Sequence, residues 1–269
     1  MHHRKRQRLL RRLQQRILMT AEDVRLAVSA AVSDALARCS GPAVTALSGG
    51  VDSCFIAAAA KLPAVAAGAV HSHDLDGARD AAEKLGLPLT VCEITEPEVE
   101  QALREVLPVI PEKSVLAAEI AATEYFICKT AASLGARYVF TGQGADELFG
   151  GYARYQPGPG LREELAHDLS LYPLQQKRDF AVASLFQVTF VQPFMDPRVV
   201  SEGQALTAEE LVSETEKKIA LRKAASAYLP DDLAYKPKKA MQYGSGVAKF
   251  IARLAKKANM KPQKYIEQF

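Results

Sequence analysis

No stretch of this 269-residue sequence comes near the roughly 18 consecutive apolar residues that a helix needs to cross a bilayer, because charge or proline interrupts every alanine-rich segment. A membrane-spanning helix is therefore not expected. The start of the chain also lacks the apolar core and small-residue cleavage site of a secretory signal. Cysteine is scarce: Cys39, Cys54, Cys92 and Cys128 are scattered without CxxC spacing, so nothing calls for a disulfide framework, an iron–sulfur cluster or structural zinc. Such thiols act as small hydrophobes, and a reducing cytoplasm is the expected compartment. Cys54, next to a glycine loop, reads as a buried helix-start thiol rather than a nucleophile.

Acidic residues are missing from positions 1–18, which carry Arg4, Lys5, Arg6, Arg8, Arg11, Arg12 and Arg16. The formal net charge is +3, and without these seven charges the remainder stands at −4. Any affinity for nucleic acid or an anionic surface thus rests on this segment alone. Thr20-Ala21-Glu22-Asp23 reads as a helix opening directly after Met19. The expected division is a disordered basic tail or upstream extension over 1–18 and one domain over 19–269. Internal repeats and low-complexity tracts are absent.

What is present is 48% hydrophobic content, enough for a substantial core, in a pattern that alternates short apolar strands with amphipathic helices. Helices are expected over 21–38, 53–61, 76–86, 96–106 and 115–135, with strands over 43–47, 64–70, 88–94 and 137–141. This is the pattern of an α/β fold, a parallel doubly wound sheet covered on both faces. Beyond Tyr155 strand signals fade, and helical periodicity over 161–172, 174–186, 208–228 and 244–258 predicts a helical C-terminal layer. Ligands in such sheets bind at the carboxyl ends of the strands. The loops after 47 and 141 and the segment His71–Asp74 are therefore expected to converge on one pocket.

Ser48-Gly49-Gly50-Val51-Asp52-Ser53 joins the first strand to a helix. Two glycines let the backbone turn tightly and aim N–H groups at a phosphate, and the helix adds its free donors and positive dipole end. Ser48 and Ser53 contribute hydroxyls. Asp52 would repel a phosphate unless a divalent cation lay between them, so this loop suggests a magnesium-bound nucleotide or pyrophosphate. The second such loop is Thr141-Gly142-Gln143-Gly144-Ala145-Asp146-Glu147-Leu148-Phe149-Gly150-Gly151-Tyr152. Gly142 and Gly144 permit close backbone approach, Asp146 suits the same cation as Asp52, and Glu147 could cap a helix or pair with a base.

With two such loops in order, the sequence resembles the synthetase half of the asparagine synthetase family, with its SGGxDS and TGEGADELFGGY-like elements. Pro193-Phe194-Met195-Asp196 is similar to that family's PFLD, and Lys218-Ile219-Ala220-Leu221-Arg222 to its KxxLR helix. Leu229-Pro230 then precedes a lysine-rich loop, Lys236-Pro237-Lys238-Lys239. The resemblance covers roughly residues 40–258. It implies an adenine nucleotide alpha-hydrolase (HUP-like) ATP pyrophosphatase fold and an AMP-forming ligase that uses ATP and Mg2+. Ser48, Gly49, Gly50, Asp52 and Ser53 would bind the departing pyrophosphate, with Asp52 and Asp146 on magnesium. Leu47 and Val70 would hold adenine through backbone groups, Thr141 and Gly142 would touch the AMP part, and Lys239 or its neighbour Lys238 would neutralise the pyrophosphate. The implied substrates are a small carboxylic acid, first of all aspartate, and ammonia, either free or from a separate glutaminase subunit. Self-association is left open.

Three departures from that pattern bear on the reaction. Gln143 stands where the family has a glutamate, and a glutamine cannot take a proton near neutral pH. The arginine before PFLD is replaced, the residues here being Thr189-Phe190-Val191-Gln192. Only about 40 residues precede the first loop, so no glutaminase domain is expected in this sequence. These departures keep two further readings open. One is an ATP pyrophosphatase with another acceptor, such as tRNA or a metabolite acid. The other is a nucleotide-binding module that has lost catalysis at Gln143.

Overall fold

The computed structural model describes residues 2–237 and 241–269, and the side chains of all of these except 2–14, 241 and 242. Helix α1 (His2–Arg38) leads to strand β1 (Ala43–Ala46), followed by α2 (Val51–Ala60), β2 (Ala64–Gly68), α3 (His73–Leu85), β3 (Leu89–Glu93), α4 (Glu96–Val106), α5 (Val115–Ser133) and β4 (Tyr138–Phe140). Then come the short α6 (Ala145–Phe149), the long α7 (Leu161–Ser184) and β5 (Thr189–Val191). A 3-10 turn (Pro193–Met195) precedes α8 (Pro197–Ala205), α9 (Ala208–Leu211), α10 (Ile219–Ala225), α11 (Asp231–Ala234), α12 (Met241–Gly244), α13 (Val247–Lys257) and α14 (Pro262–Ile266).

The strands form one parallel sheet in the order β3-β2-β1-β4-β5. Alternation along β2 shows how both faces are covered. Ala64 and Ala66 join a core with α1, α2 and α3, while Val65 and Ala67 face the opposite way, into cores that include α4, α5 and α13. All five β2 residues are buried, as a strand covered on both faces must be. The doubly wound α/β expectation holds. The sheet runs outward in both directions from β1 and β4, which makes the gap between their carboxyl ends the topological switch point where ligands bind in such folds.

Four local expectations differ from the structure. A fifth strand, β5, pairs parallel to β4 through Tyr138–Thr189 and Phe140–Val191; its three residues lack the glycine turn that introduces the equally short β4 at Gly135. The helices expected over 161–172 and 174–186 are one, α7, which carries Pro173 inside it. Residues packed on both sides of the proline, Leu165, Tyr172 and Val182, hold that helix together. The segment 208–228 is split into α9 and α10 because the chain turns extended at Val212, which bridges Lys217, and re-enters a helix through Lys218 at φ 58°. Finally, the helix expected from residue 21 starts at His2. Its body half is anchored by Val24, Val28, Ala31, Val32 and Ala35, packed along α8 and α10. Within the basic segment, Arg16 Nε lies 3.0 Å from Oε1 of the buried Glu210. No helix among the described residues is long and apolar enough to cross a membrane.

Candidate active site

A cavity opens at the switch point and is walled by both glycine loops, by Ala67, His73 and Asp74 beyond β2, by Thr123, Glu124 and Ile127 of α5, by Phe190 of β5, and by Lys218, Arg222, Lys236 and Pro237. The first loop is built for close approach. Gly49 sits at φ 75°, and a Cβ there would collide with the backbone of Gly77. Gly50 is the N-cap of α2 and no side chain caps that helix, so its first N–H groups stay free for a ligand. Ser48 and Ser53 brace the turn, with their hydroxyls 3.1 Å apart and Ser53 Oγ donating to Gly50 O at 3.1 Å. The second loop touches the first at Gly142, where a Cβ would come 2.8 Å from the backbone at Asp52 and Ser53. Replacing Gly49 by alanine should therefore cost at least about 1–3 kcal/mol for the left-handed backbone alone and move the loop. A urea midpoint and an ATP titration would show both losses together; a midpoint equal to that of the wild type would contradict the close packing on Gly77.

Asp52 and Asp146 meet on a third residue that the loops do not contain. Lys218 Nζ lies 2.5 Å from Asp52 Oδ2 and 2.5 Å from Asp146 Oδ1, and its side chain is 1% exposed. Burial pushes the ammonium toward the neutral form, but the charges of Asp146 and Asp52 outweigh it and raise its pKa, so the lysine stays charged. Gly151 makes room for this pairing, since a Cβ there would overlap both Asp146 and Lys218. Arg222, one helical turn on, donates to the carbonyls of Lys217 (2.9 Å), Ala234 (2.7 Å) and Lys236 (3.1 Å) and so ties the 234–236 segment to the cavity. The KxxLR element thus has two jobs: its lysine bridges the two loop aspartates, and its arginine holds a neighbouring loop.

The fit to magnesium can be judged from the donors. Asp52 Oδ1 is buried without a hydrogen-bond partner while Oδ2 is paired, which leaves a hard oxygen available for a cation. Among the described residues, no group of three or more His, Cys, Asp or Glu could hold a metal by protein alone. One or two carboxylates completed by substrate phosphates is how magnesium is commonly bound, so these residues fit a phosphate-borne ion.

At the opposite wall, the two departures noted in the sequence touch each other. Gln192 Nε2 donates to Gln143 Oε1 at 3.1 Å and to Asp179 Oδ2 at 3.0 Å. Gln143 Oε1 also accepts from Thr141 Oγ1 at 3.0 Å, and its Nε2 donates to Glu124 Oε1 at 2.5 Å. Arg178 is committed to Asp179, at 3.0 and 2.6 Å, and lies 3.9 Å from Glu124 Oε2. Burial, then the neighbouring Asp179 charge, holds the Glu124 carboxyl well above the usual range, against the opposing pull of Arg178 and Gln143. Burial likewise raises Asp179, with Arg178 opposing. A carboxyl raised on folding takes stability away as pH climbs from its ordinary value through the raised one. Glu124→Gln should therefore gain on the wild type as pH rises above about 4.3; urea midpoints across pH 4–8 that run parallel would contradict this.

Residues 23–187 and 166–265 match the family model for asparagine synthase. The chain belongs to the asparagine synthase family. A protein of Methanocaldococcus jannaschii, provisionally named glutamine-hydrolysing asparagine synthetase 1, is 35% identical over 254 residues, covering 78% of this chain and 47% of the relative. Glutamine-hydrolysing asparagine synthetase B of Escherichia coli is 28% identical over 75% of this chain and 40% of its own length. The chain thus spans less than half the length of these relatives. Among solved structures, NMN synthetase from Francisella tularensis is similar at a TM-score of 0.36 and 14% identity, covering 90% of this chain and 97% of that one; the likeness is too loose to bear on function.

Within this asparagine synthase-type domain, Leu47, Ser48, Gly50, Asp52, Ser53, Thr141, Gly142, Gln143 and Asp146 all line the cavity. Leu47 has already given its N–H to Val65 O at 2.9 Å. Gly49 stands behind the loop against Gly77. Val70 is not brought to the cavity: it is 56% exposed in the turn after β2, and Ala67, His73 and Asp74 form the wall there. Lys238 and Lys239 lie outside the described residues. Glu147 is buried and accepts from Tyr152 Oη (2.5 Å) and Gln175 Nε2 (3.0 Å), which gives it a structural place. Cys54 is fully buried, and burial pushes its thiol up to about 12, as befits a core residue. Sequence reasoning missed the roles of Lys218, visible there only as a motif letter, and of Glu124, a single acid inside an apolar helix.

Proposed function

We propose that the cavity binds ATP with magnesium and joins a small carboxylic acid to an amine, in two displacements. A carboxylate oxygen attacks the α-phosphorus, the bond to the β-phosphate's bridging oxygen breaks, and pyrophosphate leaves. The nitrogen of ammonia then forms a bond to the acyl carbon, the carbon–oxygen bond to AMP breaks, and one proton is lost from nitrogen. The observation that carries this reading is the Asp52–Lys218–Asp146 cluster beneath two glycine loops at the switch point. Ser48, Gly50, Ser53 and the free N–H groups of α2 would cradle the leaving pyrophosphate, and Asp52 and Asp146 would hold magnesium. When bound, that ion supplies neutralising charge to the leaving oxygens. Lys218, fixed on both carboxylates, keeps them close and limits their repulsion when no ion is there. Aspartate is the first acid to test, with ammonia free or from a separate glutaminase.

A second reading, another acid as acceptor, is favoured by one feature. Arg178, the guanidinium nearest Gln143 and Glu124, is spent on Asp179, and the cations lining the cavity sit with Asp52, with backbone carbonyls or beside Gly77. Among the described residues, an aspartate α-carboxylate finds no ready partner at that wall. The experiment is to incubate the protein with ATP, magnesium and ammonium, with aspartate or other small acids, and to measure pyrophosphate, AMP and amide. Amide from aspartate supports the first reading, and amide from another acid alone supports the second. Absence of acid-dependent pyrophosphate with every acid would sink both.

A further inference from the structure

The cavity wall formed by Thr123, Glu124, Ile127, Gln143 and Phe190 holds one group able to accept a proton, and it is not the glutamine of the loop. The hydrogen-bond chain fixes which way that glutamine points. Gln192 gives its N–H to the Asp179 carboxylate and to Gln143 Oε1, so Gln143 must turn its own amide nitrogen toward Glu124. That bond occupies Glu124 Oε1 and orients the carboxyl, whereas Oε2 lies buried 3.9 Å from Arg178 Nε, and the Asp179 carboxyl can hydrogen-bond Glu124 when one of the two acids holds a proton. A proton gained by this carboxyl is held between Glu124 and Asp179. Arg178 and Asp179 of α7 face it with opposite charges, and Tyr172 of α7 and Cys128 of α5 add only neutral groups.

We propose that Glu124 is the residue that takes the proton lost by the attacking amine, and that this wall is the nucleophile subsite. The inference rests on the amide-forming reading above. As nitrogen bonds to the acyl carbon and AMP departs with the electron pair of the broken carbon–oxygen bond, the surplus proton on nitrogen passes to the Glu124 carboxyl at the cavity wall and later to solvent. Gln143 is a positioning residue in this scheme. Its amide holds the carboxyl by Oε1 and is itself held by Thr141 and Gln192. Burial and the Asp179 charge raise the proton affinity of Glu124 while Arg178 restrains it, which makes it a stronger base than an ordinary carboxylate.

The test separates the two half-reactions in the full chain. Acid-dependent exchange of labelled pyrophosphate into ATP, measured with a panel of small acids beginning with aspartate, reports adenylation; amide formed from ammonium chloride with the same acid reports the second displacement. Glu124→Gln should lower the ratio of amide formation to exchange by about 100-fold and remove the acidic limb from the pH profile of amide formation. The double variant Glu124→Gln/Gln143→Glu swaps the two groups across the same hydrogen bond and should recover at least about tenfold of that ratio, with the acidic limb restored. An unchanged ratio in Glu124→Gln overturns the proposal. So does an equal fall in exchange and amide formation, which marks a structural residue, and so does a swap that recovers nothing. Wild-type protein that exchanges pyrophosphate with none of the acids overturns the underlying reading itself, a result visible before any variant is compared.

Discussion

Lys218→Met is expected to destabilise the protein by about 3–5 kcal/mol and to stop pyrophosphate formation. Removing one partner from a buried ion pair leaves the other charges uncompensated, and that is where the cost arises. Here two carboxylates are left facing each other, because Asp52 Oδ2 and Asp146 Oδ1 both converge on the same Nζ. Methionine matches the length of the lysine stem and fills the space, so cavity formation adds little. Two oxygens of one sign in a confined place should then attract a divalent cation. Millimolar magnesium is expected to restore part of the lost stability in this variant and to do less for the wild type, whose two carboxylates already share the Lys218 charge. Urea midpoints with and without magnesium check this without any substrate. A variant within about 1 kcal/mol of the wild type and indifferent to magnesium would mean that the cluster does not bind as a unit.

Asp52→Asn and Asp146→Asn should each reduce acid-dependent pyrophosphate formation by about 100-fold or more, and the double variant should be little worse than either single. Groups that act together on one phosphate-borne cation lose their joint effect when either is removed. Stability should follow the opposite rule. Each single variant leaves Lys218 one carboxylate, whereas the double variant leaves a fully buried ammonium with none. Its destabilisation should exceed the sum of the singles, and it should ease as pH rises, since an unpaired buried lysine folds more readily in its neutral form. In the wild type the sign is reversed: Lys218 is raised by folding, so its contribution is full below the ordinary lysine value of about 10.4 and fades only above it. Additive losses in both activity and stability would separate the two aspartates into independent roles.

The parts of the site that could be read in the sequence are those that are local in the chain. Ser48 to Ser53 and Thr141 to Gly151 announce themselves because a tight turn between a strand and a helix demands glycine at Gly49 and Gly144, where φ is 75° and 88°. The first four strands and the helices between them were legible for a similar reason, since burial on one face or both writes a period into the residues themselves. Strand β5 was not, because it lacks the glycine turn that introduces β4 at Gly135, and Phe190 is buried by residues distant in sequence, among them Val44, Cys128 and Val139. Val70 shows the limit of such reading: it follows a strand in sequence, yet it lies in the turn at residues 69–72 with its side chain exposed, and Ala67, His73 and Asp74 line the cavity there.

By itself, then, the sequence determined the α/β alternation, the two glycine loops, the aspartate in each, and the two departures from the family pattern, Gln143 and the segment without arginine at 189–192. Tertiary structure alone decided what those residues do to one another. Lys218 lies 166 positions from Asp52 and reaches it only because the chain breaks the helix expected there between Val212 and Lys218 and turns the lysine under both loops. Gln143, Gln192, Glu124 and Asp179 come from a loop, a strand end and two helices, and their hydrogen bonds exist only where those four elements pack. Local sequence encodes backbone conformation through sterics and burial through periodicity, but electrostatic partnership depends on distance in space. That distance is set when the sheet brings β1, β4 and β5 side by side.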